Sequence, residues 1–175
     1  LPDNLFVSPG KKAPNRKGFS KYASYINTIT EQKYGRPLIL AMSADLSDST
    51  NISGFAKGYG EAKDKGFYEK TSNIGSPLFP QGITEFTNAG MMAGASTVNF
   101  STKPYGSFSG YYGAVSTYGS FSYLKYGPLR LFSQLAQDSE LKVGKIIWVV
   151  GHRIDERFRI TAKTKKTYIA NLLDN

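Results

Sequence analysis

The sequence predicts an α/β domain built on a mostly parallel sheet with helices on both faces. Two observations carry that expectation. Residues 38 to 42 and 146 to 150 are short, unbroken apolar runs, the composition of strands covered on both sides. Helical patterns separate them, and parallel strands need such crossovers. The chain has 175 residues, 40% of them hydrophobic, enough for a single domain with a proper core.

Residues 1–17 contain Pro2, Pro9, Gly10 and Pro14 with little periodicity, which reads as a linker or arm. Phe19, Tyr22, Ala23, Ile26 and Ile29 then recur at helical spacing, and Gly35 is placed to end that helix before Pro37. The first apolar run follows. It stops at Ser43-Ala44-Asp45-Leu46-Ser47-Asp48-Ser49-Thr50-Asn51, a cluster of turn and capping types. Residues 52 to 81 hold five glycines, two prolines and many charges, predicting surface loops with one short turn of helix.

From 83 to 95, Ala89, Gly90, Ala93, Gly94 and Ala95 alternate with Phe86, Met91 and Met92, predicting a helix packed closely on its neighbours. Residues 97 to 100 make a candidate short strand. The tract 105–126 sets eight Tyr and Phe among Gly and Ser without a regular period. Pro128 suits the first turn of a helix reaching residue 137, with Leu131 and Leu135 on one side. The second apolar run ends at Gly151-His152, and residues 153–175 form a basic tail with an amphipathic helical pattern over 161–173. The expected organisation is thus an arm over 1–17, a domain over 18–152 and a tail over 153–175.

Neither apolar run approaches the roughly 20 residues of a membrane-crossing helix. A soluble, cytoplasmic setting is expected, and the lack of cysteine rules out disulfides and thiolate metal sites. The chain opens on Leu1, which suggests a processed chain or an excised piece. The formal charge of +9 invites a nucleic-acid role, but residues 1–22 supply +4 of it and residues 153–175 supply +3. A duplex-binding groove concentrates charge on a folded face, so solvated ends explain the excess better. A basic module for nucleic acid or an acidic protein remains the alternative from another functional class.

With a single histidine, His152, and no nucleophile-elbow motif, triad hydrolases are disfavoured, and no phosphate-binding glycine loop is present. Ligands of parallel sheets bind beyond the carboxyl ends of the strands, where Asp45, Ser49 and His152 fall. Glu85 sits close to the N-terminus of the helix predicted over 83–95, which is otherwise small and apolar. The helix dipole favours its charged form and burial favours the protonated form, a balance suited to proton chemistry or to a plain first-turn carboxylate. Asp45 and Ser49 also suit a turn and a cap, Arg16 a solvated arm, and His152 a bond to a backbone carbonyl.

Five segments in order give these residues a context: Asn15-Arg16-Lys17, Ser43-Ala44-Asp45-Leu46, Gly82-Ile83-Thr84-Glu85-Phe86, Pro104-Tyr105-Gly106-Ser107-Phe108, and the apolar run ending at His152. From residue 16 to about residue 152 the chain resembles the pyrimidine-binding domain of transketolases, which are thiamine diphosphate enzymes. The resemblance implies the thiamine diphosphate-binding fold, with Glu85 as the catalytic carboxylate that hydrogen-bonds the aminopyrimidine of thiamine diphosphate. It further implies that Phe108 and one of Tyr111 or Tyr112 stack on that ring, and that Asp45 stands near the cofactor at a subunit interface. Arg16, Ser49 and His152 match positions that hold a sugar-phosphate substrate.

The resemblance has limits. Arg153-Ile154-Asp155-Glu156-Arg157 replaces the family's glycine-rich continuation, and the diphosphate-binding domain with its magnesium ligands is not in this sequence. The implied protein is a fragment or split subunit that moves a two-carbon ketol unit only when a diphosphate-binding partner completes the site, as a dimer. A phosphoketolase or dehydrogenase-type subunit shares the same architecture.

Overall fold

The computed structural model describes residues 1–59 and 64–151. Four strands form one sheet in the order β2-β1-β3-β4, all parallel: β1 (Ile39–Ser43), β2 (Leu78–Phe79), β3 (Tyr112–Tyr118) and β4 (Ile146–Gly151). Successive strand residues face opposite sides, and two apolar layers result. Ile39, Ala41, Ala114 and Val149 pack with Ile52, Phe55 and Leu78 beneath α1 (Asn15–Tyr34). On the other face Leu40, Met42, Val115 and Ile146 pack with Met92 of α2 (Glu85–Thr97) and with Leu129 and Phe132 of α3 (Tyr126–Asp138). Helices therefore cover both faces, as an α/β sheet requires.

α1 starts at Asn15, so Arg16 and Lys17 stand in its first turn and not in an arm. Gly35 ends it in the left-handed conformation, φ 68°, and its amide donates to the Glu31 carbonyl at 2.8 Å. Buried Asn27 ties the helix to the sheet. Its Oδ1 accepts from the amides of Leu38 and Ile39 at 3.1 and 2.7 Å, and its Nδ2 donates to the Ile39 carbonyl at 2.9 Å. One amide side chain thus satisfies backbone groups at the entry to β1.

The stretch 52–81 is not a surface excursion throughout. A 3-10 helix at Ile52–Ala56 buries Ile52, Phe55 and Ala56, with Phe19 edge-on to Phe55 at 5.0 Å, and Leu78 enters the core as part of β2. Its glycines and charges masked four apolar core residues. Residues 97–100 are not a strand either, since Asn99 makes only a single antiparallel bridge to Gly110. The central strand β3 lies instead inside the aromatic tract. Its Gly113 has no room for a side chain, because a Cβ there would collide with the Met92 side chain. No helix among the described residues is long and apolar enough to cross a membrane.

Candidate functional site at the carboxyl edge of the sheet

Parallel strands bring all their carboxyl ends to one edge, and α2 starts there because it follows β2. Glu85 occupies the first turn of α2 and is only 5% exposed. Thr117, itself buried near the end of β3, donates its hydroxyl hydrogen to Glu85 Oε1 at 2.8 Å. The partly positive helix N-terminus and this one hydroxyl are what the carboxylate gains in return for burial. One turn on, Asn88 is buried, accepts from the Thr84 hydroxyl at 3.1 Å, and leaves its Nδ2 without a partner among the described residues.

The loop after β1 reaches the same edge. Asp45 is exposed and adopts φ 58°, in the left-handed region that few residues other than glycine, asparagine and aspartate enter. Ser49 accepts a hydrogen bond from the Tyr118 hydroxyl at 2.9 Å, and next to it the buried Thr50 and Ser116 hydroxyls pair at 2.8 Å. These bonds fasten the Asp45 loop to the end of β3. Arg16 lies one turn before Phe19, at the end of α1 that packs against Ile52–Ala56, and its Nε is buried without a partner among the described residues. His152 follows the last residue of β4 and lies outside the described residues.

Phe108, Tyr111 and Tyr112 are elsewhere. Tyr112 opens β3 and pairs with Ile39, the first residue of β1, so it marks the amino edge of the sheet. Five residues separate it from Thr117, about 16 Å at the usual rise of a strand. Phe108 stacks on Tyr112 at 5.6 Å, while Tyr111 meets Phe100 edge-on and lies 5.0 Å from the Arg36 guanidinium. The structure does not bring these aromatics together with Glu85; Phe108 and Tyr112 pair with each other, and Tyr111 pairs with Phe100 and Arg36.

The reason is a duplicated string. Tyr-Gly-Ser-Phe-Ser occurs at residues 105–109 and again at 118–122. The first copy precedes β3 and the second follows it, so only the second stands at the carboxyl edge. Phe121 and Tyr123 there are 48% and 67% exposed, on the 3-10 segment Gly119–Lys125 that packs against α2, whose Phe86 is 64% exposed. The repeat was the signal in the sequence that could have found Phe121; Tyr123 lies one residue beyond it.

Lys125 is the functional candidate the sequence concealed. It ends that 3-10 segment with no exposed surface, donates to the carbonyls of Val115 and Val149 at 3.2 and 3.4 Å, and lies 4.9 Å from the Trp148 ring centre. Burial lowers its pKa from 10.5 to about 7, while the nearby Glu85 carboxylate pulls it upward. Trp148 also borders a separate cleft of about 730 Å³ between α3 and the segment before β4, which neither Glu85 nor Asp45 lines.

Among the described residues no group of three or more His, Asp and Glu side chains could hold a metal ion. Comparison with known protein families and with characterised proteins found no match to this chain.

Proposed function

We propose that the chain is the pyrimidine-binding half of a transketolase-like thiamine diphosphate enzyme. One observation carries the reading: a buried carboxylate, Glu85, opens a helix at the carboxyl edge of a parallel sheet, with its Oε1 held by Thr117. A carboxyl group so placed can share a hydrogen bond with a ring nitrogen of an aminopyrimidine. The exposed rings of Phe86, Phe121 and Tyr123 on the neighbouring turns suit a flat heteroaromatic partner. The residues present thus suit the pyrimidine end of the cofactor, and among those described no group of three or more His, Asp and Glu could hold its magnesium.

When bound, thiamine diphosphate supplies the electron sink for transfer of a two-carbon ketol unit. This chain would contribute the carboxylate that fixes the ring and its proton. Asp45 would stand beside the cofactor, and Arg16, Ser49 and His152 would hold a sugar phosphate, a task for which a guanidinium fork, a hydroxyl and an imidazole are suited. Phe86, Phe121 and Tyr123 replace Phe108, Tyr111 and Tyr112 as the source of stacking rings. The partner is a diphosphate-binding domain or subunit in a cytoplasmic dimer.

Titration calorimetry with thiamine diphosphate and magnesium tests this directly. The chain alone should bind at the limit of detection, and a diphosphate-binding chain should restore tight binding. Tight binding without that partner would refute the half-site. In the assembled enzyme, Glu85→Gln should remove turnover while leaving the fold intact, and undiminished turnover would exclude the role given to Glu85.

A further inference from the structure

The half-site leaves one buried charge unexplained. Lys125 has no exposed surface, and its ammonium is met by two neutral carbonyls and the face of Trp148. Such groups solvate a cation in part but do not balance it. The packed elements offer few counter-charges. α2 carries one charged side chain, Glu85; β3 has only the phenols of Tyr112 and Tyr118; β4 has none. α3 brings Tyr126, Arg130 and, as its final residue, Asp138.

The backbone anchors the two opposite charges on one strand. Val115, whose carbonyl accepts from Lys125, and Thr117, whose hydroxyl donates to Glu85, are two residues apart on β3. Their charged atoms stay beyond the 4.0 Å of a contact ion pair. Each charge is therefore anchored on the same strand, two residues apart.

We propose that Lys125 is a positioning residue for Glu85: fixed on the carbonyls of β3 and β4, its ammonium is the counter-charge that holds the Glu85 carboxylate in place against Thr117. This rests on the reading that Glu85 is the group meeting the cofactor. Burial works against the proton on Lys125 and Glu85 works for it, which brings the amine to about 7.

Trp148 is the only tryptophan in the chain, so its fluorescence reports the charge on Lys125. The test is a fluorescence titration of the full chain without cofactor, in a His152→Gln background that removes the chain's single imidazole. The expected result is a transition centred near pH 7. Lys125→Met should abolish it, and Glu85→Gln should move it down by about one pH unit, a tenfold change in proton affinity. A folded Glu85→Gln chain with an unmoved midpoint would overturn the proposal.

A second measurement needs no variant at Glu85 or Lys125. With carbon-13 in the glutamate carboxyls, the resonance of Glu85 should show an inflection at the pH where Trp148 fluorescence changes, and a flat response there would equally overturn it. Because no cofactor is present, these outcomes stand apart from the calorimetry. Coupled charges with normal turnover in Glu85→Gln would reject the half-site, whereas uncoupled charges with lost turnover would reject only Lys125.

Discussion

Thr117 reaches across from β3 to the first turn of α2 and gives its hydroxyl hydrogen to Glu85 at 2.8 Å, joining the middle of the sheet to the candidate carboxylate. Both residues are buried, so the bond cannot be replaced by water without opening the sheet edge. Thr117→Val keeps the shape and removes the donor. A buried acceptor left unpaired costs about 1–3 kcal/mol. Urea denaturation should show a loss of that size, and Thr117→Ser should recover most of it.

Gly113 is fixed by the closeness of α2. A methyl group there would occupy the position of the Met92 side chain, which is itself fully buried. Gly113→Ala should therefore destabilise by about 1–3 kcal/mol through overpacking. Adding Met92→Ala makes room for the methyl group, so the double variant should be more stable than the sum of the two single effects predicts. Strict additivity in the denaturation midpoints would show that the two sites do not touch.

These two contacts also explain what the sequence could and could not reveal. β1 and β4 were legible because strands covered on both faces are solid apolar runs. β3 is covered on both faces too, yet its Gly113 is small to admit α2, and its Ser116 and Thr117 are polar to serve Thr50 and Glu85. β3 therefore showed no strand pattern and stayed inside an aromatic tract without a regular period. Glu85 could be placed at a helix start from local pattern alone. The choice of aromatic partners could not, because two copies of one pentapeptide differ only in which end of β3 they adjoin. Lys125 stayed hidden because lysine is ordinarily a solvated residue, and only the packing of Trp148 and two strand carbonyls makes this one buried.

Asp45 holds a left-handed backbone, φ 58°, at the turn leaving β1. Its amide donates to the Ser43 carbonyl at 2.8 Å, so the turn is fixed by backbone bonds and not by the exposed carboxylate. Glycine tolerates this conformation and alanine resists it by about 1–2 kcal/mol. Asp45→Gly should leave thermal stability nearly unchanged, with Asp45→Ala less stable by about 1 kcal/mol. If Asp45 also serves the cofactor interface, both variants should weaken cofactor binding in the assembled enzyme to a similar degree despite their different stabilities.

Lys125 gives the chain a pH dependence of stability that can be worked out in sign. Unfolded, the amine keeps its proton up to about pH 10.5; folded, it gives the proton up at about 7. Between those limits the unfolded chain binds more protons than the folded one, so stability rises with pH, by up to about 1.4 kcal/mol per pH unit. Below the folded value the slope vanishes, since both states are then protonated, and above the unfolded value it vanishes again. Lys125→Met removes the group from both states. Denaturation of the two proteins from about pH 7 to about pH 9, where few other side chains titrate, should give a stability difference that changes steadily in favour of the wild type as pH rises. Parallel curves would mean that Lys125 keeps its proton in the fold throughout that range, and the balance between its burial and the attraction of Glu85 would then lie on the side of the charge.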